Sequence, residues 1–302
     1  MNSELEALID PQMRLAFAGH EDGGRLEPFS WCGAEQGEFS SFSLIQSEGW
    51  CSQMEVAAVL SAWQQPEQVG AVGGLDWLLP EGDPAEIWLS AATQATHRAL
   101  DAELLDLLQS RLQNLEALKL SCASEACDSD YALPLLLGQI EETWLGIAPS
   151  VPVATDLESS PLRVTPLPMG SPDSASMLQL QIQDLLTRRG SVKIYGYYGG
   201  GYHQTHNYHL VQAAGSTQAA AVEALMQATG LLRRGQFEAF QPSSAADKAQ
   251  LEPLAQRLRL LQAQVYQFSF WDWEQAYILG EALETAADRT GVVLRSRFTY
   301  NP

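Results

Sequence analysis

The sequence predicts an α/β protein of the α+β kind, built as two α/β/α sandwich domains with mixed or mostly antiparallel sheets. Three observations predict it. The 302 residues are close to two domains of ~150 residues each. Leucine-rich stretches at helical spacing are interleaved with short extended segments. The second half also closes in the same order as the first, a long helix followed by three strands, which points to a tandem duplication. Residues 149–173 separate the halves: Pro149, Pro152, Pro161, Pro166, Pro168 and Pro172 fall there among Ser, Thr and Gly, removing backbone donors and disfavouring helix. The domains expected are therefore 1–148, a linker over 149–173, and 174–302.

In the first half, Leu5, Leu8, Ile9, Met13 and Leu15 suggest a short helix, with Pro11 set against it. Residues 25–32 and 38–45 read as two strands joined by a turn at 33–37. Met54, Val56, Val59 and Leu60 mark a helix over 52–63, and the Gly- and Pro-rich stretch 64–86 reads as loop. Leu100, Leu104, Leu107, Leu108, Leu112 and Leu115 predict a long helix over 90–115. Strands are expected over 118–121, 132–138 and 143–147. In the second half Asp173 or Ser174 caps a helix that Gly190 ends. Two strands, 192–198 and 202–213, follow around Gly199–Gly201. Ser216 or Thr217 opens a helix ending at Gly230, and Ser243 or Ser244 opens a longer one containing Pro253. Strands near 264–271, 275–280 and 291–300 close the chain.

The two closing segments correspond residue by residue. Leu108, Arg111, Leu112, Leu115 and Ala117 match Leu254, Arg257, Leu258, Leu261 and Ala263 at one offset. Downstream, Leu137-Gly138 matches Leu279-Gly280, and Gly146 matches Gly291 with small insertions.

Charge is distributed unequally. The net charge is −20, yet residues 1–150 hold 24 acids and 5 bases while 151–302 hold 13 and 12. So negative a surface repels phosphate and anionic lipid, disfavouring nucleic acid and membrane as direct partners. A basic protein surface is the favoured partner, and the asymmetry assigns it to the first half. The N-terminus lacks a cationic and apolar leader, and no stretch approaches the length of a membrane span. Cys32, Cys51, Cys122 and Cys127 form no CxxC pair, so a reduced cytoplasmic setting is expected.

The chemistry-bearing motifs are few. His203, His206 and His209 lie in GGGYHQTHNYHL, which reads as a strand. Alternation puts His203 and His209 on one face ~20 Å apart and His206 on the other, too dispersed for one zinc unless the segment bends. YGYYGGG at 195–201 lacks the Lys-Ser/Thr of a phosphate loop and reads as a hairpin turn. No GxSxG or HExxH occurs. Carboxylate pairs such as Glu141-Glu142 read as solvated turns, and Trp271 and Trp273 as core or interface aromatics. No cofactor, metal or catalytic residue is assigned, and the chain is read as a non-enzyme.

Leu26-Glu27-Pro28-Phe29-Ser30-Trp31, Leu136-Leu137-Gly138 and Trp144-Leu145-Gly146-Ile147 give the first half a resemblance to the nuclease A inhibitor family. These are small acidic proteins that plug the cleft of a sugar-nonspecific nuclease. Residues 265–298, with Ile278-Leu279-Gly280, resemble a diverged second copy. The resemblance implies an α/β/α sandwich in each copy and an acidic side chain near the first strand approaching the nuclease metal, a place matched by Glu27. Partner-binding residues are expected at Glu27 and Trp31, with Glu21, Asp22, Glu35 and Glu38 as steering charges. Two alternatives stand beside this one. The first is an assembly or scaffold factor using the aromatic second domain, and the second a metal-dependent enzyme using His203, His206 or His209.

Overall fold

The structure, a computed structural model, describes residues 5–9, 14–15, 24–69, 89–121, 132–151, 174–197, 203–237, 245–270, 273–281 and 287–297. The first half forms β1 (Arg14–Leu15), β2 (Gly24–Trp31), α1 (Gly33–Gln36), α2 (Ser41–Ser47), β3 (Cys51–Met54), α3 (Val56–Val69), α4 (Ala91–Arg111), β4 (Gln113–Leu120), β5 (Leu133–Ile140) and β6 (Thr143–Pro149). The second forms α5 (Ser174–Arg189), β7 (Val192–Tyr197), β8 (His203–Tyr208), β9 (Leu210–Gly215), α6 (Gln218–Thr229), β10 (Leu232–Gln236), α7 (Ala245–Leu260), β11 (Gln264–Phe270), β12 (Trp273–Glu281) and β13 (Arg289–Arg297).

One sheet has the order β3-β4-β5-β6-β9, another β1-β2-β13-β12-β11-β10, and β7 pairs with β8 separately. Every pairing is antiparallel. The fold is α+β, as predicted. The division at 149–173, however, does not divide the sheets. β2 of the first half lies against β13 of the second, with Phe29 opposite Gly291 and Trp31 opposite Arg289. β9 of the second half lies against β6 of the first, with Ala213 opposite Gly146. The expected self-contained domains 1–148 and 174–302 are thus corrected to halves that exchange β2 and β9. The physical reason lies in β13, where Val292 and Leu294 are buried on one face and Val293 on the other. A strand covered on both faces needs hydrogen-bonding neighbours on both edges. Pro149 belongs to β6, and the next two residues are tied down by Ser150 N donating to His209 O and Val151 N to Thr229 O. Residues 152–173 lie outside those described.

Three apolar clusters define the layers. The central one joins the facing sides of the two sheets through Leu120, Leu133, Leu135, Phe268, Tyr277 and Val293, with Leu44 and Ile45 of α2 and Val222 and Leu225 of α6 between them. A second seats α3, α4 and α5 on the outer face of the five-stranded sheet. The third seats α7 and Leu5 on the outer face of the six-stranded sheet. Each sheet is therefore flanked by helices on both faces, and the inner layer is shared.

Some elements differ from expectation. Residues 41–47 are helical rather than extended because Ser40 and Ser43 form a reciprocal capping box, each side chain accepting from the other's backbone N–H. The long helix stops at Arg111 and Leu112 is already extended, so Leu115 belongs to β4. α3 runs on to Val69, into the stretch read as loop. β10, sequence LRRGQ with four of its five residues exposed, was not predicted and is an edge strand. Thr217 caps α6 and Gly230 ends it in the left-handed region, as expected. Among the described residues no helix is long and apolar enough to cross a membrane.

Candidate functional site

Of the partner-contact residues expected from the sequence, Glu27 and Trp31 lie on β2 of the six-stranded sheet, next to β13 with its Arg289 and Arg295. Glu27 projects from β2 toward the inner layer, and Arg295 Nε of β13 donates to its Oε2 at 3.3 Å. The same guanidinium donates through Nη1 to Glu48 Oε2 at 3.4 Å. Glu27 is thus half-exposed and charge-paired rather than a free anion. Burial works against the Arg295 charge, but Tyr277, Glu48 and Glu27 together outweigh it and raise its pKa above the usual arginine value. Trp31 is a core residue, 2% exposed, its indole N–H donating to Gly37 O at 2.9 Å and its ring meeting Phe39 edge-on. It shapes the turn between β2 and α2, and its expected role as a contact residue is corrected on that ground. Glu35 and Glu38 are exposed on either side of that turn, where Arg289 lies over the Phe39 ring. Glu21 and Asp22 lie outside the described residues.

The histidine segment is not one continuous strand. β8 ends at Tyr208 and β9 begins at Leu210, so His209 sits at the break and alternation does not carry through to it. Its backbone is held by Ser150, with His209 N donating to Ser150 Oγ at 3.2 Å and Ser150 N donating to His209 O at 2.8 Å. Burial, then the nearby Arg189 charge, lowers its pKa below the usual histidine value. The side chains of His203 and His206 lie outside the described residues. Among those described, no group of three His, Cys, Asp or Glu could hold a metal.

The structure assembles a polar cluster that the sequence did not reveal. Asp101 of α4 is fully buried, and Arg189, the last residue of α5, donates through Nε to its Oδ1 at 2.7 Å. Gln64 of α3 donates to Oδ2 at 3.4 Å. Tyr208 lies under the Arg189 guanidinium, 5.8 Å from it, and donates its hydroxyl to Trp63 O at 2.5 Å. Trp63 donates in turn to Pro134 O of β5 at 3.0 Å. Leu89 closes on Tyr208 and Val192. Five elements therefore converge at one end of the five-stranded sheet, held by a buried ion pair and a chain of tryptophan and tyrosine hydrogen bonds. Nothing in the spacing of Gln64, Asp101 and Arg189 announces this convergence. The one available signal was an acid, Asp101, on the apolar face of a leucine helix.

A partly buried acid lies in the inner layer. Glu116 of β4 accepts from Gln218 of α6, and its pKa is raised, chiefly by burial. It neighbours Cys51, whose thiol is pushed up to about 11 by burial first and by the Glu116 charge second. That thiol is therefore a poor nucleophile.

The ion pairs share one pattern. Those among the described residues draw their cations from the second half: Arg188 with Glu103 and Asp184, Arg189 with Asp101, Arg234 with Glu223, Arg259 with Glu252, Arg289 with Glu281, and Arg295 with Glu27 and Glu48. Tyr266 and Tyr277 are in the core, and the side chains of Trp271 and Trp273, the aromatics singled out from the sequence, lie outside the described residues. Comparison with protein-family models, curated proteins and solved structures finds no match to this chain.

Proposed function

We propose that the chain is a non-enzymatic binding module that docks onto a basic protein surface, a sugar-nonspecific nuclease being the partner class its resemblance implies. The observation that carries this reading is the pairing of the arginines. Six arginines of the second half, Arg188, Arg189, Arg234, Arg259, Arg289 and Arg295, are paired with acids within the molecule, and the chain as a whole carries a net charge of −20. A surface of one sign accelerates encounter with a surface of the other and suppresses like-charged partners. The geometry moves the weight of the reading away from Glu27, which Arg295 already neutralises, and toward the acids that have no cation beside them in sequence. Segments 70–88 and 122–131 carry Asp76, Glu81, Asp83, Glu86, Glu125, Asp128 and Asp130 without a single Lys or Arg.

The test is binding of the full chain to a basic sugar-nonspecific nuclease across a salt series. Affinity should fall steeply between low and high ionic strength, because charges separated by more than ~8 Å are largely screened near 0.15 M salt. Replacing Asp76, Glu81, Asp83 and Glu86 together by their amides should slow association by roughly tenfold or more. Glu27→Gln should change it little. Affinity indifferent to salt, or lost with Glu27 alone, contradicts the proposal.

A further inference from the structure

We propose that the molecule is a covalent dimer: two copies of one unit, each of which recognises the other by taking up its first strand. The unit is strand, helix, strand, helix and three strands. In the first half it runs β2, α2, β3, α4, β4, β5, β6, and in the second β9, α6, β10, α7, β11, β12, β13. The sheet orders β3-β4-β5-β6-β9 and β10-β11-β12-β13-β2 are the same order with the donated strand last.

The correspondence reaches single backbone atoms. Cys51 stands opposite Leu120 as Leu232 stands opposite Phe268. Leu137 stands opposite Gly146 as Leu279 stands opposite Gly291, and beyond each glycine comes the strand of the other half. α2 is followed by Gly49 at φ 73° and α6 by Gly230 at φ 85°. The next residues, Trp50 and Leu231, each accept from a serine N–H, Ser121 and Ser269, at 2.9 Å. After the long helices, Asn114 and Gln262 hold the left-handed conformation at φ 51° and 48°. Trp50 and Leu231, and Asn114 and Gln262, keep the match although they differ in type, while Gly49 and Gly230, Ser121 and Ser269, and Leu137 and Leu279 are identical. The copies part where α1 and α3 are added to the first.

The interface between copies is therefore two strand ladders and the α2–α6 layer, not two finished surfaces in contact. Without its partner each unit would expose the edge of β6 or β13, strands buried on both faces. The partner that fits this edge is a second copy of the unit.

The test keeps the chain whole until it has folded. A protease site placed within 152–173 is cut in the native protein. The fragments should continue to elute as one particle of about 33 kDa, separate only in denaturant, and re-form that particle when the mixture is diluted out. Separation of the fragments under native conditions, in solution or by precipitation, overturns the proposal. Independently, Ser30→Cys with Thr290→Cys places two cysteines opposite each other across β2 and β13. After oxidation and cutting, the fragments should stay linked on a denaturing gel without reductant. Failure to link, in a variant whose uncut circular dichroism matches the parent, also overturns it. If that variant does not fold, cutting of the parent chain decides alone.

Discussion

At Asp101 both carboxylate oxygens are engaged, one by Arg189 and one by Gln64, and neither charged partner retains appreciable exposure. Removing one member of such a pair strands the other's charge in a medium that solvates it poorly. Asp101→Ala should therefore cost about 3–5 kcal/mol in chemical denaturation. Asp101→Leu with Arg189→Met, which removes both charges and keeps the volume, should recover most of that loss; a double variant as unstable as the single would show that the pair is not what makes the site costly. His209 adds a pH dependence. Its pKa is lower in the folded chain than in the unfolded one, so the unfolded state binds the proton more readily. The stability this gives is complete above the usual histidine value near ~6.5 and is lost as pH falls through that value toward the lowered folded pKa. The urea midpoint should drop between pH 7 and pH 5, and His209→Gln should reduce the drop. Cys51 should alkylate far more slowly in the native protein at pH 8 than in denaturant, because its thiol is pushed up to about 11.

Glycines at equivalent places in the two sheets face different neighbours. A Cβ on Gly291 would lie 1.8 Å from Ile278 O, a backbone atom, whereas one on Gly146 would meet the ends of Leu137 and Leu225, which can move. Gly291→Ala should cost ~3 kcal/mol or more and Gly146→Ala markedly less, with thermal unfolding as the readout. At the helix starts, Thr217→Ala should cost about 1 kcal/mol through the lost bond to Ala220 N. Elements announced by local chemistry were legible in the sequence: β2, α4, α5, α6 and the three closing strands of each half, down to the matched Leu137-Gly138 and Leu279-Gly280 pairs, which lie inside β5 and β12 and are not turns. What failed was decided elsewhere in the chain. The apolar run at 41–45 suits strand or helix, and a serine box three residues apart chose helix. β10 carries no alternation because it is an edge that β11 alone recruits. Arg295 neutralises Glu27 from 268 residues away, and Asp101 meets Arg189 from 88, separations no local reading spans.

Over the whole molecule, the proline-rich stretch looked like a hinge between domains because composition reports local stiffness and says nothing of where strands pair. The exchange of β2 and β9 makes the two halves a single cooperative body, with α2 and α6 buried between sheets that neither half completes. It also brings Glu27 of β2, together with Glu48, beside Arg295 of β13. The interlock is tested most directly by equilibrium urea unfolding of the uncut chain, followed at once by tryptophan fluorescence and far-ultraviolet circular dichroism. Trp50 lies between the two sheets and Trp63 lies outside the five-stranded one. The account expects the two signals to trace one coincident transition. Two separated transitions, each accounting for about half of the circular dichroism change, would contradict it.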